Sequence, residues 1–288
     1  MRTPLTRRDL LRGTSILAAS ALVPNAYALF GAKSKSSSSP IRLGIASYTF
    51  RQFDQAHLID FMHQIKTPLL NLKDVHLPMT PATDVPKRAA EYRAAGLKLT
   101  AAGTIYFPKD EDEDIRQKFE YVKAAGIPII VGSPTHESIG RVESFVKKYD
   151  IKLAIHNHGT EDKQWPSPHD ILKVIGNMDK RIGCCVDLGH AMRAGDDLPT
   201  TLREVGPRLF DIHMKDLADP HKKESQCDVG DGVMPVRKIF EALIEMKYPG
   251  NVDLEYEING ADPLPGVLKS FAFMRKTLVE MGYKSYTV

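Results

Sequence analysis

From Ile41 onward the chain repeats one pattern. A short apolar, β-branched run closes in polar residues, and a stretch with apolar positions three and four apart follows. The spacing predicts strands at Arg42–Ser47, Leu69–Val75, Lys98–Ala102, Pro128–Gly132, Lys152–His156, Gly183–Asp187, Leu209–His213 and Val252–Glu255. It predicts helices between them at Ala56–Ile65, Pro86–Ala95, Glu111–Ala125, Ile139–Lys148, Pro168–Asn177, Leu198–Val205 and Val236–Met246, and a last one at Leu264–Met281. Ser167-Pro168 opens one helix, and Gly96 and Gly126 close two others. Strands alternating with helices imply right-handed crossovers and a parallel sheet. Eight units in about 250 residues is the size of a (β/α)8 TIM barrel, an α/β fold. A doubly wound open sheet is disfavoured, because no Gly-x-Gly-x-x-Gly follows the first strand.

The first forty residues break the pattern. Arg7-Arg8 followed by Leu10-Leu11, an apolar stretch from Thr14 to Val23, and Ala26-Tyr27-Ala28 read as a twin-arginine export signal over residues 1–28. Residues 29–40 carry Lys33-Ser-Lys-Ser-Ser-Ser-Ser-Pro40, a flexible tether, and the catalytic barrel is expected over 41–288. The apolar stretch is short for a membrane span, so the expected location is the periplasm, free of the membrane once the signal is cleaved.

Composition narrows the function classes. With 42% hydrophobic residues in 288, the chain has enough apolar material for one large core or two modest ones. Net charge is +3 with both signs interspersed, and no basic stripe suggests nucleic acid. Cys184 and Cys185 adjoin and Cys227 is distant, so the three cysteines form no disulfide framework and no C-x-x-C zinc pair. The helix faces would support a homo-oligomer, but no specific signal marks one.

In a barrel of this kind chemistry sits where strands end. The fifth gives His156-Asn157-His158 and then Glu161, and the sixth Asp187-Leu-Gly-His190. The seventh gives His213-Met-Lys215-Asp216, and the eighth Glu255-Tyr-Glu257. Glu161, Asp187, His213 and Glu255 would each supply one ligand to a single divalent cation, Mn2+ first, with Mg2+, Co2+ or Zn2+ as alternatives. Glu257 shares strand parity with Glu255 and competes for that corner, with Glu255 preferred. His76, after the second strand, is a candidate pocket residue. His57, His63, His169 and His221 fall in helices or loops and read as solvated; His136 stays open. Asp216 reads equally as a turn cap, and Trp165 as packing or a wall against a sugar.

These motifs resemble the xylose isomerase-like TIM barrel superfamily, also called AP endonuclease family 2, the sugar isomerase and epimerase group. The resemblance runs from about Ile41 to Tyr283. It rests on His156-Asn-His-Gly-Thr-Glu161, Asp187-Leu-Gly-His190, His213-Met-Lys-Asp216, Gly230-Asp-Gly232 and Glu255-Tyr-Glu257, which look like the family patterns HNHxxE, DxGH, HxKD, GxG and ExE. It implies a metal on Glu161, Asp187, His213 and Glu255, with Glu161 and Glu255 as the acid–base pair. His190 and Lys215 would contact substrate oxygens, with His156 and His158 as pocket residues. Thr160 stands where the family often has phenylalanine, so His156 or His158 could replace Glu161 as the first ligand. The DNA-repair branch is a weaker match: the third strand ends in Gly103-Thr-Ile-Tyr106 without the histidine its three-metal cluster would need.

The implied chemistry is proton removal next to a ketone through an enediolate. Epimerisation or isomerisation of a non-phosphorylated sugar or keto-sugar is the first expectation. Metal-dependent elimination from a keto-inositol or 3-keto-glycoside is the alternative, and a non-catalytic sugar-binding barrel the competing class.

Overall fold

The computed structural model describes residues 38–283; the expected export signal and most of the tether lie outside the described residues. Eight parallel strands close into a barrel in sequence order: β1 (Arg42–Ala46), β2 (Leu69–Leu72), β3 (Lys98–Phe107), β4 (Ile129–Pro134), β5 (Lys152–His156), β6 (Ile182–Asp187), β7 (Leu209–Met214) and β8 (Asn251–Leu254), which pairs back to β1. The expected (β/α)8 barrel is therefore observed.

Around it lie α1 (Gln55–Ile65), α2 (Val85–Ala94), α3 (Asp112–Ala124), α4 (Ile139–Tyr149), α5 (Pro168–Ile175), α6 (Leu188–Arg193), α7 (Leu198–Val205), α8 (Val236–Glu245) and α9 (Leu264–Glu280). The sequence sets their ends. Asp54 accepts from His57 N to cap α1, and Ser167 accepts from Asp170 N to cap α5, with proline in its first turn. In α8, Val236, Ile239, Phe240 and Leu243 make one buried stripe, each side chain contributing about 1.5–3 kcal/mol by leaving water. No described helix is long and apolar enough to cross a membrane.

Two features depart from the pattern reading. β3 runs five residues past the expected Ala102, to Phe107. The short helix α6 follows β6 at once, so His190 rides on a helix rather than a strand end. A two-residue antiparallel pair, Asp216–Leu217 with Gln226–Cys227, follows β7.

Alternation along the strands sorts residues into two layers. One set packs outward on the helices as the main core. The inward set includes Ala101, Val131, Ala154 and Cys185, a small apolar cluster of its own. Of the same parity as Ala154 is His156, as Cys185 is Asp187, and as Asp211 is His213. The inward layer therefore turns from small and apolar to ligand-bearing as the strands run towards their C-terminal ends.

Candidate metal centre

Four buried side chains from four successive strand ends converge. His156 (β5), Asp187 (β6), His213 (β7) and Glu255, just past β8, offer ligand atoms that all lie within 4.8 Å of one another. His156 Nε2 is 3.0 Å from His213 Nδ1 and 3.7 Å from Asp187 Oδ2, and His213 Nδ1 is 3.2 Å from Glu255 Oε2. A cation with bonds of about 2.1 Å would set neighbouring ligand atoms about 3.0 Å apart in an octahedron and about 3.4 Å apart in a tetrahedron. The observed separations suit such an ion. A second observation agrees. Asp187 Oδ2 is fully buried and receives no directed hydrogen bond, although Lys215 Nζ stands 3.0 Å from it as an ion pair. Two imidazoles and two carboxylates suit Mn, Co or Zn better than an all-oxygen cage would.

The strand ends hold these groups in place. Asp187 Oδ1 accepts from His190 N at 2.8 Å and so caps α6, which leaves Oδ2 for the cluster. Asn157 ties β5 to β6, accepting from Asp187 N at 2.9 Å and donating to Asp187 O at 3.0 Å. Glu255 N donates to Met214 O at 3.0 Å, which fixes the last corner against β7.

Lys215 is buried among the carboxylates. Its Nζ is 3.0 Å from both Asp187 Oδ2 and Glu255 Oε2, and it also pairs with Glu257. Burial disfavours its charge, but Asp187, Glu255 and Glu257 outweigh that and hold it protonated well above its usual range. Burial likewise opposes ionisation of Asp187 and Glu255, and Lys215 overrides it in both, keeping them low. Burial pushes His156 well below its usual range, so it is neutral. Burial also disfavours charge on His213, yet Glu255 beside it raises it to about 9.

The remaining expected residues separate. Glu161, expected as a metal ligand and as partner of Glu255, stands apart from this group: it lies in the loop after β5, 43% exposed, ion-paired to Arg193. The fifth-strand residue that does converge with Asp187, His213 and Glu255 is His156. Between the two glutamates, Glu255 is in the cluster and Glu257 is not, being tied to Lys215. His76 is corrected as a pocket residue: its ring nitrogens are taken by Ser47 Oγ and Phe50 O, both at 3.1 Å. Asp216 is structural, accepting from the backbone N–H groups of Leu217, Gly230, Gly232 and Met234. Trp165 is wholly buried and donates to Pro134 O, and His136 packs edge-on against it.

Two cavities open beside the cluster. One of about 470 Å³ is lined by Tyr106, His158, Glu161 and Asp162, the other of about 490 Å³ by Lys215, Gln226 and Glu257; His190, Arg193 and Lys223 line both. A larger cavity, about 680 Å³, lies at the opposite, N-terminal mouth of the barrel and carries none of the cluster. His158 Nδ1 is 3.2 Å from Asp162 Oδ2, and burial lowers the pKa of that histidine. Arg193 and Asp162 escaped the reading of strand ends. Arg193 could have been found by its place one helical turn after His190.

Behind the cluster lies a second buried polar group. Asn71 Nδ2 is 3.0 Å from both Asp211 Oδ2 and His213 Nε2. Burial raises Asp211 to about 6, and raises Asp253, pressed against it, well above the carboxylate range.

Comparison with known proteins places this geometry. A profile of the xylose isomerase-like TIM barrel family (AP_endonuc_2) matches residues 59–277. An inosose dehydratase of Lacticaseibacillus casei is 24% identical over 155 residues, 48% of this chain and 52% of that one. The chain thus spans about half the length of the curated relatives it matches. Among solved structures, 3-keto-D-glucoside 4-epimerase from E. coli superposes with a TM-score of 0.65 at 16% identity, over 82% of this chain and 99% of that one. An IOLI protein with a bound zinc atom superposes with a TM-score of 0.67 at 15% identity, over 86% and 100%. At these identities the structural likeness establishes the fold.

Proposed function

We propose, from the premise that the chain belongs to the xylose isomerase-like TIM barrel family, that it is a divalent-metal-dependent lyase. It removes the proton next to a ketone in a non-phosphorylated keto-sugar, keto-inositol or 3-keto-glycoside and expels a β-oxygen substituent. One observation carries the choice of elimination over epimerisation. The fifth-strand member of the cluster is the imidazole of His156, and Glu161 stands at the rim with Arg193, so Glu161 is not paired with Glu255 in the cluster. Inversion at carbon needs a proton donor and a proton acceptor on opposite faces, whereas elimination needs one base and one acid.

His156, Asp187, His213 and Glu255 would hold the cation, which supplies Lewis-acid polarisation of the ketone when bound. The chain's own groups do the rest. His158, kept neutral by burial and backed by Asp162 on its Nδ1 side, leaves Nε2 to accept the proton. Lys215, held charged by three carboxylates, carries a proton at Nζ for the departing oxygen. His190 and Arg193 stand between the two cavities and would orient hydroxyl groups. The inosose dehydratase relatives support elimination; the epimerase with the same fold keeps a second outcome open, in which His158 takes the proton from one face and a different acid returns one to the other.

The proposed cation is Mn2+, with Co2+, Zn2+ and Mg2+ following. The pair Arg7-Arg8 supports the further proposal that the protein is exported folded to the periplasm, where free sugars and glycosides are the available substrates. The deciding experiment incubates the protein with Mn2+ in deuterated water and a panel of ketoses, keto-inositols and 3-keto-glycosides. Loss of a β-substituent supports the lyase. Deuterium exchange with inverted product would make it an epimerase. Activity confined to phosphorylated sugars would sink the substrate class, and failure to bind any divalent metal would leave a sugar-binding barrel.

A further inference from the structure

The base and the acid of the proposed elimination open on different cavities. His158 lines the one of about 470 Å³ and Lys215 the one of about 490 Å³, while His190, Arg193 and Lys223 line both. A substrate that reaches both groups therefore spans the two cavities. Its proton leaves on the His158 side, and its departing oxygen lies on the Lys215 side.

The two cavities differ in chemistry. Beside His158 stands an apolar wall of Tyr106, Pro108 and Pro134. The Tyr106 ring is 54% exposed and stacks on His158, with centroids 6.0 Å apart and planes at 26°. Such a wall suits the C–H face of a sugar ring. The Lys215 cavity carries Glu224, Gln226 and Glu257 besides the shared cations, with Leu217 and Ile258 as apolar lining. Groups that donate and accept hydrogen bonds in this number suit a hydroxylated occupant. Size then separates the candidate substrates. Against the ~30 Å³ that one water takes up in the liquid, this cavity is roughly sixteen times what a departing hydroxyl needs. Loss of water from a keto-inositol would leave nearly all of it to solvent.

We propose, resting on the lyase reading, that the Lys215 cavity is a leaving-group subsite for a second sugar, which makes the substrate a 3-keto-disaccharide oxidised on the ring that lies against Tyr106. The carbon between the ketone and the anomeric carbon gives its proton to His158 Nε2. The anomeric C–O bond breaks with its electron pair on the departing oxygen, which takes a proton from Lys215 Nζ. A C=C bond forms between the two carbons, the second sugar leaves as an alcohol, and no oxidant or reductant is needed.

The test measures elimination by the Mn2+-loaded protein from a 3-keto-disaccharide, methyl 3-keto-glucoside, benzyl 3-keto-glucoside and a keto-inositol. Two or three hydrogen bonds made only to the second sugar should favour the disaccharide by about 10–100-fold in kcat/KM. Ile258→Trp fills the subsite from a residue outside the cluster. It should lower kcat/KM for the disaccharide at least about tenfold and leave the methyl glycoside within about threefold, which also shows that the variant folds. Wild-type elimination from the methyl glycoside or keto-inositol as fast as from the disaccharide overturns the subsite, and so does an equal loss on both glycosides in the variant. Preference for the benzyl glycoside, whose alcohol is apolar, overturns the hydroxylated occupant. If none of the four eliminates, the lyase reading itself fails and takes the subsite with it, a result distinct from elimination confined to the small substrates.

Discussion

The fifth-strand corner of the cluster separates two residues by opposite outcomes. His156 is fully buried, with Nε2 among the ligand atoms and Nδ1 without a hydrogen bond. Glu161 is 43% exposed and tied to Arg193. His156→Phe keeps a ring of similar size and removes a nitrogen that burial leaves unpaired, so the fold should lose no more than about 1–2 kcal/mol. It removes one of four ligands, so divalent metal affinity should fall by more than the roughly 100-fold that a lost supporting contact can cost. Glu161→Gln breaks an exposed ion pair worth less than about 1 kcal/mol and should leave metal affinity within about twofold. Calorimetric titration with Mn2+ reads this directly, and thermal melting provides a second readout. At a metal concentration 100 times Kd, binding stabilises by about 2.7 kcal/mol. For a domain of this size that raises Tm by about 5–11 °C. Wild type and Glu161→Gln should show this rise and His156→Phe should not. If Glu161→Gln abolishes binding while His156→Phe binds as wild type, the ligand assignment is wrong.

Other outcomes follow from the same geometry. His213 titrates at about 9 without metal because Glu255 stabilises its charged form, so a cation must displace a proton. Apparent metal affinity should therefore rise about tenfold per pH unit up to about pH 9 and then level off, and a flat profile from pH 6.5 to 8.5 would contradict the assignment. Asp211 is raised from 3.8 to about 6 by burial, so its contribution to stability is complete below about 3.8 and is lost as pH rises through about 6. Asp253 shifts in the same direction. Asp253→Asn should accordingly raise Tm above pH 6 and change it little at pH 4, in denaturation monitored by circular dichroism. Asn157→Ala removes both side-chain hydrogen bonds to the Asp187 backbone and should cost about 1–3 kcal/mol in chemical denaturation. Asp216→Ala removes the acceptor of four backbone N–H groups and should cost about 3–5 kcal/mol, read the same way.

The barrel was legible because its elements obey local rules. Strand runs, the Asp54 and Ser167 caps and the buried stripe of α8 are written in neighbouring residues. Three corners of the cluster were legible for the same reason, since Asp187, His213 and Glu255 each close a strand. The fourth was expected at Glu161, whereas the side chain that converges with the other three is His156, as strand parity favours. Ala154 and His156 alternate inward, while Glu161 lies five residues beyond the last strand residue. Asn71 was not legible, since it meets His213 across 142 residues of sequence. Arg193 was within reach only through its place one turn after His190, on a helix that the Asp187 cap opens.

The charge of the site explains why His156 and Lys215 belong together. Asp187, Glu255 and Glu257 all stand against Lys215 Nζ, and water is excluded from most of this group. Three carboxylates face one ammonium and, when loaded, one divalent cation, so the charges cancel with His156 neutral. A glutamate at 156 would leave one negative charge uncompensated where burial makes it costly. Without Lys215, the carboxylates would outnumber the cation and burial would raise one of them until it held a proton. On this argument Lys215→Met should lose activity and also shift the pH at which metal binds upward, because a protonated Asp187 or Glu255 must then release its proton to the ion. A lysine serving as a proton donor alone would leave the pH profile of metal binding where it stands in the wild type.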